Sequence, residues 1–234
     1  DAFSDLPFLT GGSGLCGALG RRYVRLHPEL CLANADDREA DGRECLIAEA
    51  ARGVMSEKPE TLAGDGKTLL LAGSCSKITL EQIADYQEKG RANLFIDPVT
   101  LVEGKIDASM MLEAVKAAGD AVLVYSSQKP EEMRKTQELG LEKVSEKLEL
   151  TMGMLARTAV EAGYTRIISA GGETSGAVTK ALGYSAFYIG KSVAPGVPIM
   201  TPVENPKLRI VLKSGGFGQK DFFERAVKMT EEDA

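Results

Sequence analysis

The chain has no tryptophan, one histidine (His27) and four cysteines in 234 residues. The cysteines, Cys16, Cys31, Cys45 and Cys75, form no Cys-x-x-Cys pair. Scattered thiols with a single imidazole argue against a zinc site, and equally against a Ser/His/Asp catalytic set. His27 precedes Pro28 in an expected loop and reads as structural or solvated. The lack of a disulfide framework suits a reducing, cytoplasmic setting. No apolar run approaches the length of a bilayer span, and no signal-peptide pattern opens the sequence, so no membrane partner is expected. Basic runs are missing as well. The 28 Lys and Arg against 34 Asp and Glu leave a net charge of −6, which argues against nucleic acid as the main partner. There is no internal repeat and no low-complexity segment.

Apolar residues make up 44% of the chain, enough for a sizeable core. Lys67-Thr68-Leu69-Leu70-Leu71-Ala72 is a near-continuous apolar strand, the mark of a sheet covered on both faces. Further strands are expected at 30–34, 93–96, 121–125, 166–170, 186–189, 199–203 and 208–212. Helices are expected at 16–26, 44–55, 108–118 and 141–161. A Thr79/Gln82 capping-box spacing predicts another, ending near Glu88. One more follows residue 174, and a last one runs from Asp221 to about Met229. The segment 193–198 reads as a Pro/Gly loop. Strands alternating with helices predict a three-layer α/β domain with a largely parallel sheet. Residues 1–28 read as the end of another domain or a linker helix, and 29–234 as the main domain. The chain opens at Asp1 rather than methionine, as a piece of a larger protein would.

One stretch organises the rest: Ile168-Ser169-Ala170-Gly171-Gly172-Glu173-Thr174-Ser175-Gly176. It begins as a strand and ends as a helix whose Ala177, Val178, Ala181 and Leu182 share a face. The glycines allow close backbone approach, Thr174 or Ser175 is expected to cap the helix, and the helix N-terminus offers an anion site. Glu173 is open to three roles: holding a magnesium ion, binding a ribose hydroxyl, or pointing away. Two other turns share the composition, Gly73-Ser74-Cys75-Ser76 and Ser214-Gly215-Gly216-Phe217-Gly218. Each follows an apolar strand and precedes a helix, so each falls at a strand carboxyl end, where open sheets bind ligands. Small residues and hydroxyls there cradle phosphates through backbone N–H groups. An isolated turn of this kind is ordinary α/β construction, whereas three together favour a nucleotide or phosphate site.

Common nucleotide signatures fail. Gly66-Lys67-Thr68 and Gly190-Lys191-Ser192 lack the Walker A glycine, with Thr61 and Ser185 in its place. The Gly-x-Gly-x-x-Gly dinucleotide pattern and the protein-kinase His-Arg-Asp motif are absent at the relevant places. Asp97, at a strand end before Pro98, could hold magnesium or start a helix. Lys213, at the third turn, is well placed to reach a phosphate, although a strand-end lysine is usually just solvated. Met152 and Met154 read as core and surface filling.

Taken together, Gly73-Ser74-Cys75-Ser76 with Thr79 and Gln82, Ala170 to Gly176 with Ala181-Leu182-Gly183, Ala194-Pro195-Gly196-Val197-Pro198, and Leu212 to Gly218 with Asp221-Phe222-Phe223 resemble the C-terminal domain of the four-carbon acid sugar kinase family. The likeness extends over about residues 30 to 230, and Thr10-Gly11-Gly12-Ser13-Gly14-Leu15 resembles the end of that family's N-terminal domain. The resemblance implies an ATP- and Mg²⁺-dependent kinase acting on threonate, erythronate or 3-oxo-tetronate. It implies that Ser74, Ser76, Gly171, Gly172, Glu173, Thr174, Gly215, Gly216 and Gly218 line the nucleotide. The acid sugar would be held with an N-terminal domain bearing an Asp-Asp-x-Thr-Gly motif. Here Asp36-Asp37 is followed by Arg38-Glu39, so that motif does not match. The expectation is the ATP-binding part of a sugar-acid kinase, with homo-oligomerisation left open. The rival readings are a non-catalytic nucleotide-sensing module and, less favoured, a dinucleotide oxidoreductase domain.

Overall fold

The computed structural model describes residues 66–128 and 140–232. The chain divides into two compact units, Asp1–Lys58 and Pro59–Ala234, and all described residues lie in the second. The helices expected at 16–26 and 44–55, the strand at 30–34, His27, Asp36-Asp37 and the boundary near residue 28 lie outside the described residues.

In chain order the elements are β1 (Lys67–Ala72), α1 (Lys77–Glu88), β2 (Asn93–Phe95), α2 (Pro98–Val102), α3 (Ala108–Ala118), β3 (Ala121–Tyr125), α4 (Leu141–Glu161), β4 (Tyr164–Ala170), α5 (Gly172–Leu182), β5 (Phe187–Ala194), β6 (Val197–Pro202), β7 (Arg209–Lys213) and α6 (Phe222–Glu232). The strand order is β2-β3-β1-β4-β7-β6-β5. The first five strands of that order are parallel, and β6 and β5 extend the edge antiparallel.

The apolar run of β1 explains the layers. Successive side chains of a strand face opposite ways, and Leu69, Leu70, Leu71 and Ala72 are all fully buried. Leu69 and Leu71 join a core with Leu101 of α2, Leu112 and Val115 of α3, Met152 and Leu155 of α4 and Val178 of α5. Leu70 and Ala72 join another with Ile83 and Tyr86 of α1 and Phe222, Phe223 and Ala226 of α6. The sheet is therefore sandwiched between helix layers, the expected three-layer α/β arrangement. A continuous hydrophobic strand is what such two-sided burial requires. Met152 is buried and Met154 exposed, in keeping with core and surface filling.

Three local expectations are corrected. The cap of α1 is Ser76, whose Oγ accepts from the Thr79 amide at 3.2 Å; Thr79 lies inside the first turn. Neither Thr174 nor Ser175 caps α5. That helix starts at Gly172, and Gly171 (φ +132°) turns the chain without any side-chain cap. The loop expected at 193–198 is a tight hairpin: β5 continues to Ala194, and β6 resumes at Val197 after Pro195 and Gly196 (φ +77°). Prolines in β6 are tolerated because its pairing with β7 is confined to Ile199 and Met200.

Candidate functional site

Strand order does the first work. β1, β4 and β7 are consecutive in the sheet, so the turns that leave their carboxyl ends meet. The chain also reverses direction across the sheet between β1 and β4, the switch point where open α/β sheets leave a crevice. A cleft of about 460 Å³ opens there. Its floor is Gly73, Ser74 and Cys75 after β1, Ser126 after β3, and Gly171, Gly172, Glu173 and Thr174 after β4. One wall is apolar, from Leu141, Val144 and Leu148 of α4, with Pro98 nearby.

The glycines of these turns fall into two kinds. A Cβ on Gly73 would collide with Thr174 Oγ1. On Gly171 it would sit 3.2 Å from the Ser74 amide nitrogen, and on Gly215 2.5 Å from Ser74 Oγ. These three are small because the turns press on one another. Around Gly172 and Gly216, by contrast, an added Cβ meets nothing within 4 Å, and neither has a positive φ. Their openness faces space that a ligand can fill.

The polar groups divide the same way. Ser76 Oγ donates to the Gly215 carbonyl at 2.6 Å, and Thr79 Oγ1 donates to the same oxygen at 3.1 Å. Gln82, fully buried, donates from Nε2 to the carbonyls of Phe217 (3.1 Å) and Gln219 (2.8 Å). Ser76, Thr79 and Gln82 thus clamp the 214–219 loop onto α1. Among the described residues, the cleft-side hydroxyls of Thr174 and Ser126 have no partner, and the N–H groups of Gly172, Glu173 and Thr174 in the uncapped first turn of α5 have no acceptor. With the positive end of the helix dipole, these are donors of the kind that anions engage. Glu173 is exposed in that first turn.

The structure thus brings Ser74, Gly171, Gly172, Glu173 and Thr174 onto the cleft. It sets Gly215, Gly216 and Gly218 on the adjoining loop and turns the Ser76 hydroxyl toward that loop. Asp97 is committed elsewhere, capping α2 through Oδ1 to the Val99 amide at 3.1 Å. Among the described residues no cluster of three His, Cys, Asp or Glu side chains could hold a metal ion. Lys213 corrects an expectation outright. Rather than being solvated, it is 1% exposed, and burial pushes its amine down to about 8. Ser126, Pro98 and the α4 wall had no sequence signal, because only strand order brings them to the β1 and β4 turns. No described helix is long and apolar enough to cross a membrane.

The comparisons fit this geometry. Residues 69–223 match the family model described as a nucleotide-binding C-terminal domain. A protein named 3-oxo-tetronate kinase from Cupriavidus necator is 36% identical over 231 residues, which is 97% of this chain and 48% of that one. Its namesake from Actinobacillus succinogenes is 41% identical over 233 residues, 98% of this chain and 49% of that one. The chain thus spans about half the length of the curated relatives it matches. Among solved structures, a Haemophilus influenzae protein matches with a TM-score of 0.67 and 38% identity, over 70% of this chain and 40% of that one. A Bordetella bronchiseptica protein, solved with citrate as a domain-swapped dimer, matches with a TM-score of 0.57 and 25% identity, over 73% of this chain and 40% of that one. A family match that spans all three strand-end turns, with relatives 36% and 41% identical over nearly the whole chain, establishes that the chain belongs to the four-carbon acid sugar kinase family through its nucleotide-binding C-terminal domain.

Proposed function

We propose that this chain is the ATP-binding part of a kinase that phosphorylates a four-carbon sugar acid. The observation that carries the reading is the uncapped N-terminus of α5, which opens onto a cleft of about 460 Å³ with three amides that have no acceptor among the described residues. The names of the relatives point to a 3-oxo-tetronate as acceptor, with threonate and erythronate as neighbouring candidates. In this reading the amides of Gly172, Glu173 and Thr174 and the free hydroxyls of Thr174 and Ser126 receive phosphate oxygens. The apolar wall of Leu141, Val144 and Leu148 receives the base. Gly215, Gly216 and Gly218 present further amides from the neighbouring loop.

Magnesium fits this donor set. It is commonly held by one or two carboxylates, phosphate oxygens and water rather than by a dedicated protein cage. Glu173, exposed on the cleft, is the carboxylate that would serve, and the ion would neutralise phosphate charge there. Phosphoryl transfer depends mostly on positioning and charge stabilisation. The residues described here supply the nucleotide side of that positioning. A group to clamp the acceptor carboxylate is not among them, so we assign acceptor binding to an N-terminal domain like that of the family. The 1–28 segment would be the end of that domain.

Thermal denaturation with ATP-Mg²⁺, ADP-Mg²⁺, NAD and NADP tests the reading. A ligand at about a hundredfold its dissociation constant stabilises by roughly 2.7 kcal/mol. ATP and ADP are expected to raise the transition, and NAD and NADP to leave it unchanged. A flat response to millimolar ATP rejects nucleotide binding, and a response to NAD favours the oxidoreductase alternative. ADP release on adding sugar acids, with and without an N-terminal domain supplied separately, then distinguishes a kinase from a sensing module.

A further inference from the structure

Lys213 closes β7 immediately before the glycine loop, and its ammonium is sealed from solvent. It donates to Thr79 Oγ1 at 3.0 Å and to the carbonyls of Ser214 and Gly215, each at 3.3 Å. The Phe222 ring centroid lies 5.6 Å away. No carboxylate among the described residues pairs with it. On α1, Glu81 pairs with Lys77, Asp85 with Lys89 and Lys220, and Glu88 with Lys220. On α6, Glu224 pairs with Lys89 and Arg91, Glu231 with Arg166, and Glu232 with Lys228. Asp221, before α6, and Glu173 and Lys180 of α5 add nothing to its titration, which burial alone displaces. A buried cation without an anion is unfavourable unless other groups compensate it. Here backbone carbonyls and a hydroxyl do so.

Peptide planarity turns that contact into a statement about amides. Across a trans peptide, the carbonyl of one residue and the N–H of the next point opposite ways. Carbonyls of Ser214 and Gly215 drawn toward Lys213 therefore turn the N–H groups of Gly215 and Gly216 away from it. Neither N–H finds an acceptor among the described residues, and the space beside Gly216 is open. Gln82 repeats the device: by holding the Phe217 carbonyl inward at 3.1 Å, it turns the Gly218 N–H outward. Successive outward amides make an anion-binding concavity.

From this we infer that Lys213 is a positioning residue for the nucleotide, its ammonium fixing the 214–218 loop with amides outward and supplying positive charge behind them. The inference rests on the nucleotide-binding reading above. It also makes affinity depend on the state of a single amine. Because burial pushes that amine down to about 8, nucleotide affinity falls as the pH rises above that value. The ligand does not produce this trend, since a phosphate's second ionisation, at about pH 6, is mostly complete at pH 7 and what remains adds negative charge, which strengthens binding.

The test is calorimetric titration of the 234-residue chain with ATP-Mg²⁺ and ADP-Mg²⁺ from about pH 7 to 9.5, on wild type, Lys213→Met and Thr79→Val. Wild-type affinity is expected to drop about tenfold across the upper part of that range. Lys213→Met keeps a stem against Phe222 but should bind at least tenfold more weakly at pH 7, with no such slope. Thr79→Val should shift the midpoint of the wild-type curve. A purely structural lysine predicts otherwise: the folded Lys213→Met protein would bind with wild-type affinity and slope, which overturns the inference. If Lys213→Met does not fold, the wild-type curve decides alone, and a flat profile overturns it. Wild type that binds nucleotide with a flat profile removes only the role of Lys213. Wild type that binds no nucleotide at any pH removes the nucleotide reading, and the role of Lys213 with it.

Discussion

The three strand-end turns have two sides that look alike in sequence and differ in work. Inward, Gly73, Gly171 and Gly215 lie where the turns press together, and Ser76, Thr79, Gln82 and Lys213 tie the third turn to α1. Outward, Gly172 and Gly216 border open space, and amides and hydroxyls lack partners among the described residues. Adjacent glycines thus serve opposite ends: in each Gly-Gly pair the first permits packing and the second leaves room for a ligand. The difference teaches that a glycine-rich turn is not one signal. Half of it is explained by the protein alone, and only the remainder calls for a ligand.

The sharpest way to break this comparison is to put the same side chain on both members of one pair. Gly171→Val would drive a Cβ toward Ser74 and Thr174 and force a branched residue into φ +132°. Strain and overpacking each typically cost 1–3 kcal/mol, so a loss of about 3 kcal/mol or more is expected in urea denaturation. Gly172→Val has a permitted backbone and an empty neighbourhood. Its stability should stay within about 1 kcal/mol of wild type, since valine is at least as good a helix former as glycine. Its ATP affinity should fall more than tenfold, or about 1.4 kcal/mol, as read by calorimetry. If both variants lose stability equally, the two sides are not distinct. If Gly172→Val is stable and binds normally, the outward side is not a nucleotide surface.

The fold was legible where burial alone dictates pattern, as in the run Leu69 to Ala72. Chemistry at the turns was legible in composition but not in assignment. Thr79 with Gln82 reads as a capping box, yet Ser76 caps α1, and Gln82 reaches loop residues 135 and 137 positions away. That pairing depends on β1 and β7 flanking β4, an adjacency set by strand order rather than by local sequence. Ser126 and the α4 wall were missed for the same reason. Lys213 was misjudged because a lysine at a strand end is ordinarily free to reach water. Here α1, the loop and Phe222 close over it.

A smaller effect is expected from Ser76→Ala. The variant removes the cap of α1 and the 2.6 Å bond to the Gly215 carbonyl together. Loss of an N-cap of this kind costs typically about 1 kcal/mol, and the second bond adds to it. Thermal denaturation should register about 1.5 kcal/mol. The side chain faces inward, so nucleotide affinity should change less than in Gly172→Val. The reverse order of effects would move Ser76 to the ligand side.

The last expected effect concerns Lys213, and its sign separates stability from binding. The amine is pushed down to about 8 in the folded chain by burial, while an unfolded lysine stays near its ordinary value of roughly 10.4. Between those values the unfolded state binds more protons, so stability contributed by this group rises with pH. From pH 8 to 9 the gain is about 1 kcal/mol. Other groups titrate higher: Tyr86 is pushed up to about 12 by burial, and Lys89 is raised by hydrogen bonds to Asp85 and Glu224. Their influence cancels when wild type is compared with Lys213→Met, whose side chain does not titrate. Urea denaturation of both at pH 8 and 9 should show wild type gaining on the variant. Over the same interval wild-type nucleotide affinity should decline. A buried amine that only burdens the fold would give the first trend without the second, whereas one that also holds the amide loop open for phosphate gives both.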